Sequence, residues 1–151
     1  MIDMKKLKLV AIKETLAENE RFLNDPACEE TLSMTIEFYK KVGYHPPWIC
    51  YYVERNEEIV GSAGIKGKPV NGAIEIAYGT IEKYRRKGIG TAICKLLVDL
   101  ARNADPAVKI TARTLPEPSF STRILKKNNF DFAGTIDDPD DGEVWEWVFG
   151  N

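Results

Sequence analysis

Residues 74–103 read IEIAYGTIEKYRRKGIGTAICKLLVDLARN, a segment that changes its hydrophobic period midway. Ile74, Ile76 and Tyr78 alternate with Glu75, Ala77 and Gly79, the two-residue period of a pleated strand. From Ile89 onward, Ala92, Ile93, Leu96, Leu97 and Leu100 recur at three- and four-residue steps, which predicts an amphipathic helix. Between the two lies Arg85-Arg86-Lys87-Gly88-Ile89-Gly90-Thr91, a basic turn opening directly into the helix. Gly88 and Gly90 lack side chains, so their main chain can approach another molecule closely. The first amides of a helix have no internal partner, and the helix dipole adds partial positive charge there. With three cationic side chains alongside, the turn predicts an anion site suited to phosphate.

A purely structural turn would sooner place Asp or Ser before a helix than basic residues, and glycine in the first turn costs about 1 kcal/mol against alanine. Such departures from local preference mark functional sites. The turn lacks the third glycine of the Rossmann fingerprint and the Gly-Lys-Ser/Thr ending of a Walker loop. It resembles the acyl-CoA loop of the GCN5-related N-acetyltransferase (GNAT) family, Arg/Gln-x-x-Gly-x-Gly/Ala. Arg85, Gly88 and Gly90 fill its defined positions, and Tyr84 stands where that family often has an aromatic. Glu75-Ile76-Ala77-Tyr78 is similar to the Glu-Ile-Gly-Tyr of the ribosomal-protein-alanine acetyltransferase branch.

A chain of 151 residues fits one domain, spanning 1–151, with room for a continuous core. Its 44% hydrophobic and 29% charged residues are ordinary globular values. A formal charge of −2 gives no case for nucleic acid or an anionic membrane, and no apolar run approaches a bilayer-spanning length. Cys28, Cys50 and Cys94 stand far apart beside a single histidine, which is neither a disulfide framework nor a metal set. No charged-then-apolar leader precedes Lys5, so a reducing cytoplasm is the expected setting.

Around the central segment, Lys6–Ile12 reads as a strand, Glu14–Asn24 as a polar helix closed by Asp25-Pro26, and Cys28–Val42 as a second helix stopped by Gly43. Its expected apolar stripe is Leu32, Met34, Ile36, Phe38 and Tyr39. Trp48–Glu54 and Glu58–Lys66 form a hairpin about Arg55-Asn56-Glu57. After the main helix come a strand over Ala107–Leu115 and a helix from Pro116-Glu117-Pro118-Ser119, with proline tolerated in its first turn. Phe130–Ile136 and Val144–Phe149 are strands around the acidic turn Asp137–Gly142. The order β-α-α-β-β-β-α-β-α-β-β predicts an α/β domain, a mixed sheet with packed helices. The resemblance to the GNAT acyltransferase fold covers nearly the whole chain. It includes Ser121–Phe130, similar to that family's Ser-x-Arg-x-Leu-x-Lys-x-Gly-Phe, with Asn129 in the glycine's place because asparagine also tolerates the left-handed conformation.

What the resemblance implies is transfer of an acetyl group from acetyl-CoA to a primary amine. It implies that the main chain of Arg86, Lys87, Gly88, Ile89, Gly90 and Thr91 cradles the pyrophosphate. Tyr78, Gly79 and Thr80 then pair with the pantetheine arm where the strand splays from its parallel neighbour. The early helices form one wall of the acceptor groove. Glu75 is the candidate general base, against the reading of an ion-paired strand residue; the following strand, where some relatives carry a glutamate, has Arg113. Ser121 is the candidate general acid, against an exposed helix residue; Pro118 replaces an asparagine of the family and Leu125 the tyrosine of another branch. His45 reads as a turn residue. Trp48, Tyr51 and Tyr52 read as packing, and the acidic turn as a solvated loop able to attract a cationic acceptor. Trp145 and Trp147 fit either the core or pairing with a second subunit, and dimers are common among relatives. The expectation is therefore an acetyl-CoA-dependent N-acetyltransferase of a small amine or a peptide or protein N-terminus, without metal. The alternative is a non-catalytic acyl-CoA-binding module or sensor.

Overall fold

A computed structural model of the protein describes residues 6–150. The residues ahead of Lys5, where no leader was expected, lie outside that range. Strands β1 (Leu7–Ala11), β2 (Cys50–Arg55), β3 (Glu58–Ile65), β4 (Ala73–Thr80), β5 (Lys109–Thr114), β6 (Phe130–Asp138) and β7 (Gly142–Phe149) form one sheet in the order β1-β2-β3-β4-β5-β7-β6. Helices α1 (Glu29–Val42), α2 (Ile89–Ala104) and α3 (Phe120–Lys127) complete the fold, with short 3-10 turns at Ala17–Phe22 and Glu82–Tyr84. The mixed α/β architecture and the order of elements match the expectation.

Every strand pair is antiparallel except β4 with β5, which α2 joins as a crossover. Their parallel register runs only from Ala73 opposite Lys109 to Ile76 opposite Ala112. Beyond it β4 pairs with β3 alone and β5 with β7 alone, so the sheet opens into a cleft at its centre. The β2–β3 hairpin turns tightly because Asn56 and Glu57 both take positive φ, 50° and 68°. The core is built from alternating strand residues such as Ile74 and Ile76 and from the α2 stripe Ile89, Ile93, Cys94, Leu97, Val98 and Ala101. Cys94 is the small buried filler expected, and Ala92, Leu96 and Leu100 flank the stripe half-buried.

Four local expectations are corrected. Within Glu14–Asn24 the chain forms only the 3-10 turn Ala17–Phe22 rather than an α-helix. Asn19, buried at its kink, bonds the Lys13 amide and the Lys13 and Thr15 carbonyls through its side chain, which displaces the helical pattern. In α1 only Leu32 and Tyr39 are buried, with Ile36 packed beside them; that four- and three-residue spacing leaves Met34 and Phe38 on another face. In α3 the prolines precede the helix instead of entering its first turn. Ser119 caps it, accepting from the Thr122 amide while Thr122 Oγ1 accepts from the Ser119 amide. The acidic turn is tighter, because Asp137 and Asp138 belong to β6 and Gly142 to β7. Trp147 is buried in the core and Trp145 is half-buried beside it, against Phe132 of β6.

Candidate active site

The basic turn hands β4 to α2 through the 3-10 turn, where Tyr84 is buried and its hydroxyl donates to Glu58. Arg86 (φ 66°) and Gly88 (φ 79°) both take the left-handed conformation, which lays successive amides on one side. From Arg86 to Thr91 no amide is bonded within the described residues; the first helical bond runs from the Ala92 amide to the Gly88 carbonyl, 3.2 Å. Left-handed arginine is strained, and such strain clusters at ligand-holding turns. Arg85 is exposed and its Nε donates to the Thr80 carbonyl at 3.1 Å, tying the turn to the end of β4. Arg86 and Lys87 extend into solvent beside the amides. Gly90 has a second reason to be glycine, since a Cβ there would stand 2.7 Å from Ile124 Cδ1 of α3. Asn128, which caps the C-terminus of α3, fastens the same junction by donating to the Thr91 carbonyl at 3.1 Å. The result is a row of unsatisfied donors with adjacent cations, a fit for a pyrophosphate.

The cleft between β4 and β5 opens directly behind this turn. Ala77, Tyr78, Gly79 and Thr80 lie beyond the last β4–β5 pair, so backbone groups on that side of β4 have no ladder partner. Gly79 is exposed, and a Cβ there would meet only Ser62 Oγ at 3.7 Å, so the space beside it is open. The Tyr78 hydroxyl reaches across the cleft to the Ser121 carbonyl of α3 at 3.4 Å. Burial, with Cys94 nearby, holds that phenol far above its ordinary value, so it stays protonated. The fold thus brings Ser121, exposed on the first turn of α3, to the mouth of the cleft beside Tyr78.

On the other face of β4 lies a groove of about 750 Å³ walled by α1 and floored by β2, β3 and β4. Met34 and Phe38, which miss the core, line it together with Tyr51, Tyr52 and Ala77. Gly79, Ser62, Thr31 and Tyr52 also line a smaller space of about 140 Å³ reaching Thr80; because Gly79 lies beyond the last β4–β5 pair, the groove and the edge of the cleft meet there. Cys50 sits on the groove floor, its thiol pushed up to about 11 by burial. Glu75 is not part of the lining. Its carboxylate is held by Lys66 Nζ at 2.6 Å, and Arg113 Nε stands 3.6 Å away. Arg113 in turn donates to Asp138 at 2.8 Å.

The acidic turn stays apart from the groove, and its Asp138 is occupied by Arg113 and by the amides of Asp140 and Asp141. His45 is an exposed turn residue bridged to Trp48, and it does not line the groove. Sequence reading missed Lys66, Thr31 and Lys41 as groove residues. The available signal was the hairpin register, which sets Lys66 beside Glu75, its amide bonded to the Glu75 carbonyl at 2.9 Å. Among the described residues no group of His, Cys, Asp and Glu could hold a metal, and no helix is long and apolar enough to cross a membrane.

Known proteins resemble this chain in sequence and fold. Over 76 residues the chain is 37% identical to an uncharacterized N-acetyltransferase, YjdG, of Bacillus subtilis (strain 168); the match is 50% of this chain and 45% of the relative, under half its length. Among solved structures, the aminoglycoside acetyltransferase AAC(6')-Ib in complex with coenzyme A and kanamycin superimposes with a TM-score of 0.66 at 25% identity, over 95% of this chain and 92% of that one. RimL, a ribosomal L7/L12 alpha-N-protein acetyltransferase, shares the fold with a TM-score of 0.65 at 19% identity, over 95% and 89% of the two chains. The profile of the acetyltransferase (GNAT) family matches residues 11–123, which run from β1 into α3 and include the amide cradle and the cleft; the chain belongs to the GNAT acetyltransferase family.

Proposed function

We propose that the protein transfers an acetyl group from acetyl-CoA directly to a primary amine, carried by a small molecule or by a peptide or protein N-terminus, in the cytoplasm. The observation that carries this reading is the continuity of the unbonded amides of Arg86–Thr91 with the open edge of β4. The pyrophosphate rests on the cradle with Arg85, Arg86 and Lys87 beside it. The pantetheine arm lies along Tyr78, Gly79 and Thr80, and main-chain donors there polarise the thioester carbonyl. The amine arrives from the groove at Gly79. Its nitrogen attacks the thioester carbon, the carbon–sulfur bond breaks, and the CoA thiolate leaves. Glu75 takes the proton of the incoming ammonium. It lies four residues from Gly79 along β4, roughly 13 Å, so the proton travels through a chain of waters. Ser121 at the cleft mouth passes a proton to the thiolate and is reprotonated by the one the nitrogen sheds as the amide forms.

A second reading, an acyl-CoA sensor without turnover, draws on one observation: Glu75 is already paired with Lys66 and lies near Arg113. The experiment is calorimetry of acetyl-CoA with wild type and Gly88→Glu, followed by thiol release against an amine panel with wild type and Glu75→Gln. The expected result is binding lost in Gly88→Glu, and turnover in wild type reduced about 10²-fold or more in Glu75→Gln. Binding without turnover for any amine selects the sensor. No binding by wild type overturns both readings.

A further inference from the structure

The groove carries more about the acceptor than its position. It rests on the transferase reading above, in which the reacting amine sits where groove and cleft meet. That end is fixed by Thr31 and Gly79, which line both the groove and the small space reaching Thr80. The opposite end is fixed by the C-terminus of α1, where Val42 stands against Gly67: a Cβ on Gly67 would meet Val42 Cβ at 3.3 Å. Lys41 and Lys66 line this far end. From Thr31 to Lys41 the helix advances ten residues, about 15 Å, a span shortened by the reach of the lysine side chain itself. The walls between the ends are apolar, with Met34, Phe38, Tyr51 and Ala77.

Charge along the groove runs against a polycation. Glu37, the carboxylate in the lining, is engaged by Lys40 at 2.8 Å. Glu75, below the far end, is engaged by Lys66 at 2.6 Å. Lys41 makes no ion pair among the described residues, so the far end offers a cation and no uncompensated carboxylate. A second ammonium there would meet like charge, whereas an anionic group would pair with the exposed Lys41 beside the apolar surface of Phe38.

We infer that the acceptor is an elongated monoamine: a primary amine at the Gly79 end, an apolar body along Met34 and Phe38, and an anionic group at Lys41. The acetylated product keeps its anion and loses its only cation, since the ammonium becomes a neutral amide: one of its protons passes through Glu75 to solvent and a second ends on the CoA thiol.

The test uses the whole protein with acetyl-CoA and two probes of equal length, ω-aminooctanoate and α,ω-diaminooctane, with spermidine and kanamycin as polycations. The expected kcat/KM is highest for ω-aminooctanoate. It exceeds the diamine by about tenfold or more, the scale of one charge-assisted contact. Lys41→Glu should reverse that preference, while leaving acetyl-CoA binding by calorimetry unchanged. A preference for the diamine, spermidine or kanamycin overturns the inference, as does a ratio indifferent to Lys41→Glu. Where acetyl-CoA binds but ω-aminooctanoate neither turns over nor binds the CoA-loaded protein, the inference falls and the cofactor site stands. Where acetyl-CoA itself fails to bind, the function on which the inference rests has fallen first.

Discussion

Arg113 ties three strands together with one guanidinium. It donates to Asp138 of β6 at 2.8 Å, while its Nε, 3.6 Å from Glu75 of β4 and 4.0 Å from Glu146 of β7, has no hydrogen-bond partner. The pairing with Asp138 leaves Nε close to Glu75 without bonding it, so Glu75 keeps Lys66 as its bonded neighbour. Asp138 is fixed from its other side by the amides of Asp140 and Asp141, 2.8 and 3.1 Å away. The Asp140 amide first, then Arg113 and the Asp141 amide, pull the Asp138 carboxyl from its ordinary 3.8 down to about 2. The folded state therefore binds that proton less readily than the unfolded chain, and the carboxylate's contribution to stability is complete above about pH 4 and lost as pH falls toward 2. Asp138→Asn keeps the turn acceptor and removes the charge. Wild type should melt above the variant at pH 7, and thermal melts taken down through pH 4 to 2 should converge. Curves that stay parallel across that window would show that Asp138 contributes nothing through its ionisation.

Two glycines of neighbouring strands have opposite meanings at the scale of elements. Gly61 of β3 pairs with Thr80, and a Cβ on it would stand 2.5 Å from the Gly79 carbonyl and 2.8 Å from Ile93 Cδ1 of α2. The first of those neighbours is backbone and cannot swing aside. Gly61→Ala should force β3 from β4 and cost about 1–3 kcal/mol, with a fall in Tm of roughly 2–4 °C for each kcal/mol. Gly79, across the ladder, has open space where its Cβ would be, so Gly79→Ala should leave Tm close to wild type. Its methyl would project toward the meeting point of groove and cleft, and kcat/KM should fall while the fold holds. Differential scanning calorimetry and thiol release on the two variants separate the effects. A stable Gly61→Ala, or an unstable Gly79→Ala, would contradict the packing assigned here. Neither distinction was legible in the sequence, where Gly79 could be read as a bulge, a packing accommodation or a ligand approach. What decides it is the register of β3 on β4, and register is a property of the assembled sheet.

At the scale of the molecule, the elements with strong local signals were readable: the alternation of β4, the stripe of α2, and the glycines that open the helix. Their periodicities are set by covalent geometry and need no partner. A groove walled by the early helices came only from the family resemblance, and its lining was not readable, because Met34 and Phe38 look like core until Leu32, Ile36 and Tyr39 take the buried face, and because Lys66 meets Glu75 only through strand pairing. The same assembly explains how the two halves of the sheet are joined. β1–β4 and β5–β7 share a four-residue parallel ladder, Ala73–Ile76 with Lys109–Ala112, and the packing of α2 and α3 behind it. A ligand that fills the cleft replaces the missing ladder and rests on the start of α2, so it bridges both halves. Binding to the folded state alone raises stability by about 2.7 kcal/mol at a hundredfold excess over Kd, which for this length corresponds to roughly 5–10 °C in Tm. CoA should produce a shift of that size in wild type, and Gly88→Glu should abolish it. Amide exchange should slow most in β4 beyond Ile76, in β5 beyond Ala112 and in the first turn of α2, with β1 and β2 unchanged. A shift accompanied by uniform protection across the sheet would place the ligand elsewhere, and the cleft would then be a feature of the fold without the role assigned to it.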